Sequence, residues 1–159
     1  MSVKNSVTDR DRLLDEIGWR ILDELQADAR LSFAELGRRV HLSTPAVAER
    51  VRKMEDAGII TGYHARIDLA TVGLPIQAVI RVRANRMSYE RAKAVVAGIP
   101  EALECHHVTG ADDLVMKVAV QSVGHLERVL DTLRPIGDHV TSIVLSTPFE
   151  LRPVPAPSD

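Results

Sequence analysis

Two changes of hydrophobic period predict an α+β chain made of two small domains. Up to Gly58 the apolar residues recur at helical spacing, and beyond Pro75 alternating and helical segments follow in the order β-α-β-β-α-β. With 159 residues and 45% apolar content, the chain can bury two small cores. Leu14, Ile17, Ile21, Leu22 and Leu25 predict a first helix from about Leu13 to Ala27. Ser32-Phe33-Ala34-Glu35 has the form of a capping box, in which Ser32 accepts a first-turn amide and Glu35 reaches back. The helix it opens turns Leu36 and Val40 inward and stops near His41-Leu42. Ser43, with Pro45 two residues on, predicts a new N-cap. The third helix buries Val47, Val51 and Met54, and Gly58 ends it. Two helices joined by so short a turn form a helix-turn-helix.

After Gly58, the alternation from Ile59 to Ile67 predicts a strand or wing, so the first domain reads as a winged helix-turn-helix spanning residues 13–74. The stretch from Ala70 to Pro75 is the expected boundary. Residues 75–152 then hold a strand (Ile76 to Ala84), a helix (Ser88 to Ala97) and a strand (Leu103 to Thr109). A turn (Gly110 to Asp112), a strand (Asp113 to Val120), a helix (Val123 to Leu133) and a strand (Val140 to Glu150) complete the series. Two βαβ halves joined by a hairpin predict a ferredoxin-like sandwich, with one sheet face under two helices. The other face carries Gln77, Val79, Arg81 and Arg83 with Val115, Lys117 and Ala119, and a half-apolar face of this kind suggests burial against another subunit. Residues 153–159 contain three prolines and read as a flexible tail.

Composition narrows the function. No apolar run is long enough to span a bilayer and the first twelve residues lack a signal-peptide core, so no membrane role and a cytoplasmic location are expected. The single Cys105 excludes an internal disulfide. In Cys105-His106-His107 the two histidines point to opposite faces of a strand, and Cys105 with His107 supplies only two ligands, so no metal site is expected. A nucleophile–base pair, phosphate loop or cofactor motif is also missing, so neither catalytic residues nor a cofactor are assigned. The net charge of −2 hides a segregation: seven acids against three bases from Asp9 to Asp28, then six bases against Glu35 and Glu49 from Ala29 to Met54. Aromatic residues make up 3% of the chain, too few to stack single-stranded bases, and the nucleic acid that fits is duplex DNA.

On the third helix, the positions away from the buried stripe include Pro45, Ala48, Glu49, Arg52 and Lys53. A recognition helix reads bases with its N-terminal part, so Ser43, Thr44, Pro45, Ala48 and Glu49 are the groove-facing candidates, and Arg52 and Lys53 the phosphate-facing ones. Arg50 sits on the flank, where it meets a phosphate or pairs with an acid of its own domain. In the second domain, a free amino acid requires an acceptor for its ammonium and donors for its carboxylate. Asp112 and Asp113 offer the first; Thr109 and the backbone of Gly110 and Ala111 offer the second, with Thr141 and Ser142 as further donors. The same residues are also good hairpin-turn formers.

Several blocks, taken in order, resemble the Lrp/AsnC family of feast/famine regulators. They are Leu14-Asp15-Glu16-Ile17, Ile21-Leu22, Leu25-Gln26-Ala27-Asp28-Ala29-Arg30, Leu42-Ser43, Glu49-Arg50-Val51-Arg52-Lys53-Met54-Glu55, Gly58-Ile59-Ile60-Thr61-Gly62-Tyr63 and the Thr109-Gly110-Ala111-Asp112-Asp113-Leu114 turn. Gly18, Gly37 and Met54 depart from the residues common there, and each glycine is expected to weaken its helix by about 0.5–1 kcal/mol relative to alanine. The resemblance implies dimers paired through the sheet, further assembly up to an octamer, and an amino acid bound between dimers. The expected function is a homo-oligomeric regulator that binds duplex DNA and responds to an amino acid or related metabolite. An effector-independent architectural DNA-binding protein, and an enzyme or enzyme regulatory subunit, are the alternatives.

Overall fold

A computed structural model of the chain describes residues 11–84 and 89–157. The described residues fall into two compact units, one ending at Ala65 and joined by the stretch that begins at Phe149, the other Arg66–Pro148. The first unit holds three helices, α1 (Glu16–Ala27), α2 (Phe33–Val40) and α3 (Thr44–Asp56). All three start on side-chain caps. Asp15 accepts from the Gly18 amide, Ser32 from Glu35 and Ser43 from Ala46, which satisfies amides that a helix N-terminus leaves open. The reach-back by Glu35 is replaced by ion pairs of its carboxylate with Arg38 and Arg39.

α2 ends on His41 in the left-handed conformation, φ 58°, and Ser43 caps the next helix two residues later. α3 closes on Gly58, φ +67°, where the Gly58 and Ile59 amides return to the carbonyls of Glu55 and Met54 in a Schellman arrangement. Ile21, Leu36, Val40, Val47, Val51 and Met54 are buried between the helices, with Leu13, Ile17, Leu22, Leu25, Ile59 and Ile60 packed around them. The alternation expected to make a wing does not make one: residues 61–68 are exposed and form neither helix nor strand. A strand needs another edge to bond to, and none of the described residues of this unit offers it. The C-terminal stretch, expected to be free, has Val154 held at both backbone groups by the Gln26 amide, at 2.6 and 3.2 Å. Ser158 and Asp159 of that stretch lie outside the described residues, as does Ser88 in the second unit.

The second unit holds β1 (Ile76–Ala84), α4 (Tyr89–Ala97), β2 (Ala102–His107), β3 (Leu114–Val120), α5 (Val123–Leu133) and β4 (Gly137–Ile143). Its sheet is antiparallel with order β2-β3-β1-β4, the split βαβ arrangement that the element order predicts. Ala78, Ile80 and Val82 of β1 and Leu114, Met116, Val118 and Val120 of β3 pack against Ala92 and Val96 of α4 and Leu126, Val129 and Leu133 of α5. The bounds of β2 and β4 differ most from expectation. β4 starts at Gly137 opposite Ala84 and stops at Ile143 opposite Ala78, two residues short of the start of β1, with the Val144 amide still donating to the Gln77 carbonyl at 2.9 Å. β2 stops at His107 because the Val108 amide already turns back to the Asp113 carbonyl.

The structure corrects the expectation for the helical glycines. A Cβ on Gly37 would lie 2.6 Å from the Leu42 carbonyl oxygen, and one on Gly18 1.8 Å from that of Leu13, so the backbone passes where alanine would put its methyl. Crowding of this kind costs about 1–3 kcal/mol, more than the roughly 0.5–1 kcal/mol that alanine's helix propensity returns. Gly37→Ala should therefore lower the melting temperature followed by circular dichroism. A rise would mean that the turn between α2 and α3 yields without cost.

Candidate nucleic-acid interface and ligand site

Ser43 serves as the N-cap of α3, and Thr44, Pro45 and Glu49 stand exposed on its first turns, while Ala48 is half-buried. Arg52 and Lys53 are exposed one turn further on, which completes a polar face opposite Val47, Val51 and Met54. A helix N-terminus with small side chains and exposed bases behind it fits the major groove of duplex DNA, with bases read first and phosphates gripped beyond.

The charges on this surface are largely paired inside the protein. Of the two roles open to Arg50, the structure shows the pairing within its own domain: its guanidinium bonds the Asp15 carboxylate and the Arg12 carbonyl. The hydrogen bond from Arg50 holds the Asp15 carboxyl below its ordinary value. Arg39 bonds Glu24 at 2.7 Å and Glu35 at 2.9 Å. Glu49 takes Arg52 at 2.7 Å and Lys53 at 3.4 Å, and the Arg52 hydrogen bond holds its carboxyl low. Tyr63 donates to Glu55 at 2.9 Å, and burial together with this acid pushes the phenol up to about 12, so it stays protonated and anchors the chain leaving α3.

In the second unit, the turn from Thr109 to Asp113 folds over the end of β1. The Asp113 amide donates to the Val82 carbonyl at 2.9 Å, and the Asp113 carboxylate accepts the Ala84 amide at 2.8 Å. Asp113 thus has a structural task. Asp112 sits 3.9 Å from the Arg81 guanidinium, and Arg83 donates to the Ala111 carbonyl at 2.7 Å. Thr109, Gly110 and Ala111 are exposed. Thr141 and Ser142 are not brought to this turn: they pair with Ile80 and Val79, on opposite faces of the sheet, and Thr141 Oγ1 is buried without a hydrogen bond. Sequence reasoning missed Arg81 and Arg83, although the β1 alternation that sets them on the face away from the helices was the available signal.

Cys105 and His107 share the face of Met116 and Leu114, while His106 lies opposite Val115 on the other. Among the described residues no three His, Cys, Asp or Glu side chains gather around a point. None of the described helices is long and apolar enough to cross a membrane.

A capped helix-turn-helix presenting a polar recognition helix, followed by a ferredoxin-like sandwich, defines a DNA-binding regulator with a second, non-DNA domain. Comparison with known proteins carries this further: residues 14–55 match the AsnC-type helix-turn-helix domain and residues 77–154 the Lrp/AsnC ligand binding domain. The chain belongs to the Lrp/AsnC family of transcriptional regulators. It is 35% identical over 133 residues to the HTH-type transcriptional regulator LrpC of Bacillus subtilis (strain 168), covering 84% of this chain and 92% of that one. A Neisseria meningitidis transcriptional regulator in an L-Met complex superposes with a TM-score of 0.82 at 33% identity, over 89% of this chain and 96% of that one. The feast or famine regulatory protein of M. tuberculosis complexed with L-methionine gives 0.83 at 33% identity, over 91% and 99%.

Two outcomes follow from these contacts. Because the folded-state pKa of Asp15 is depressed, its contribution is complete above the ordinary carboxyl value of 3.8 and is lost as the pH falls through the lower folded value. At 47% exposure the contribution is screened and small. Asp15→Asn keeps a capping oxygen, so it should flatten the fall of melting temperature below about pH 4 without removing the helix; an unchanged acid limb would show the pair to be inert. Asp113→Ala leaves the Ala84 amide without its acceptor, at about 1 kcal/mol or more. The melting temperature of the ligand-free protein should fall for Asp113→Ala and stay near wild type for Asp112→Ala. Equal values for the two would remove the structural role of Asp113.

Proposed function

We propose that this regulator is a cytoplasmic homo-oligomer, without a catalytic role or a cofactor, whose hold on duplex DNA or assembly state responds to an amino acid. The observation that carries the reading is the turn over β1. There Asp112 faces Arg81 across 3.9 Å beside the exposed Thr109 and Gly110, so an acid for an ammonium and guanidinium groups for a carboxylate stand together. The two relatives solved with L-methionine support an amino acid as the ligand class. In this reading Thr109, Gly110, Ala111 and Asp112 with Arg81 and Arg83 form the effector site, and Asp113 holds its shape. Thr141 and Ser142 have no part in it.

The sheet face away from the helices supports assembly. Val79, Val115 and Val140 lie there among Arg81, Lys117 and Ser142, and Val140 is 53% exposed. A second copy seated on this face would bury those valines, making the 75–152 domain the assembling one and the 13–74 domain the DNA-binding one. Two recognition helices related by a two-fold axis call for half-sites about one helical turn, or a multiple, apart. A ligand bound at this assembling domain changes DNA affinity only if it favours one subunit arrangement over another.

Thermal shift with the twenty amino acids tests the ligand class. A binder at one hundred times its dissociation constant should add about 2.7 kcal/mol of stability, and Asp112→Ala should abolish that gain. If no amino acid shifts the melting temperature, or Asp112→Ala responds like wild type, this site is wrong. For the DNA contact, Arg52→Ala and Lys53→Ala should each weaken binding to a selected operator duplex and reduce the slope of log affinity against log salt there by about 0.9. Unchanged slopes would take both residues off the phosphates.

A further inference from the structure

Glu49 is an acid on the face of α3 that the preceding reading turns toward polyanionic DNA, and it is placed between the helix N-terminus and the two bases that would meet phosphate. One of its oxygens, Oε2, accepts from both Nε and Nη2 of Arg52, at 3.2 and 2.7 Å; the other, Oε1, lies 3.4 Å from the Lys53 ammonium. All three side chains are about half exposed or more, at 46, 64 and 56%, so solvent and ligands reach the cluster. The carboxylate thus acts as an internal counter-ion for both bases, folded back along the helix surface onto the next turn. From that rotamer it does not point into the groove. To contact a base edge it must swing away from Arg52 and Lys53, and its major-groove partner is then the one exocyclic donor that favours a carboxylate, the N4 amino group of cytosine.

We infer that Glu49 is a specificity gate, which holds Arg52 and Lys53 off phosphate on unselected DNA and frees them where a cytosine amino group takes its place as the partner of the carboxylate. On DNA without that cytosine the bases meet phosphate only by breaking ion pairs they already have, while the unpaired carboxylate faces the backbone charge. On DNA with it, base reading and phosphate binding become one event. Surface pairs three and four residues apart on a helix are individually weak, so the gate biases binding rather than blocking it. The inference rests on α3 being the DNA-reading helix.

The test uses the full chain and a labelled random-sequence duplex. Glu49→Gln should bind it about three- to fivefold more tightly than wild type, the joint worth of two such pairs, with a salt slope steeper by roughly one to two. Asp56→Asn, which removes the same charge from the same helix without a bond to either base, measures the through-space part and should leave the slope unchanged. Selection from a randomised duplex pool gives the second readout. Wild type should enrich cytosine at one position of each half-site, and Glu49→Gln should replace it with adenine, which a carboxamide pairs in bidentate fashion. The gate is overturned if Glu49→Gln leaves affinity and slope unchanged, if Asp56→Asn reproduces its effect, or if the selected cytosine is absent or survives the substitution. Should Arg52→Ala and Lys53→Ala also leave binding untouched, the assignment of α3 to DNA fails instead.

Discussion

A single oxygen of Asp15 ties the start of α1 to the middle of α3. Oδ1 accepts the Gly18 amide as an N-cap and also takes the Arg50 guanidinium, whose own second contact is the Arg12 carbonyl. The orientation of the recognition helix therefore does not rest on apolar packing alone, which is non-directional and would tolerate rotation of α3 over Ile21 and Leu36. A charged hydrogen bond to a capped helix end fixes the rotation. It also gives Arg50, in the most basic part of the sequence, an acid partner within its own unit.

The same economy governs the rest of the helical unit. Arg39 is held by Glu24 and Glu35, Arg52 and Lys53 by Glu49, and Tyr63 by Glu55. A chain with net charge −2 gains no long-range pull on DNA from its total charge, and its basic stretch is screened at short range by its own acids.

In the sandwich unit the comparable constraint is β1, which bonds neighbours on both edges and carries the core on one face. Its end is finished by the Asp113 carboxylate on the Ala84 amide, so the turn between β2 and β3 is pinned to the strand that also displays Arg81 and Arg83. The geometry divides the two aspartates of the turn: Asp113 shapes it through the Ala84 amide, and Asp112 lies 3.9 Å from the Arg81 guanidinium.

The sequence by itself determined the elements and their order. Helical and alternating periods, the N-caps Ser32 and Ser43 and the terminating Gly58 are local signals, because a cap or a period is written within a few residues of where it acts. β1 and α5 accordingly lie where the periods place them, Ile76–Ala84 and Val123–Leu133. Only the tertiary structure decided what depends on distant partners. It ended β4 at Ile143 opposite Ala78, left residues 61–68 without a strand to pair with among the described residues, and gave Arg50 to Asp15 across 35 positions. It also buried Thr141 Oγ1 without a hydrogen bond, and revealed backbone where a methyl on Gly37 would stand. A strand's length, an ion pair and the room beside a glycine are properties of two segments at once, and no single stretch of sequence holds both.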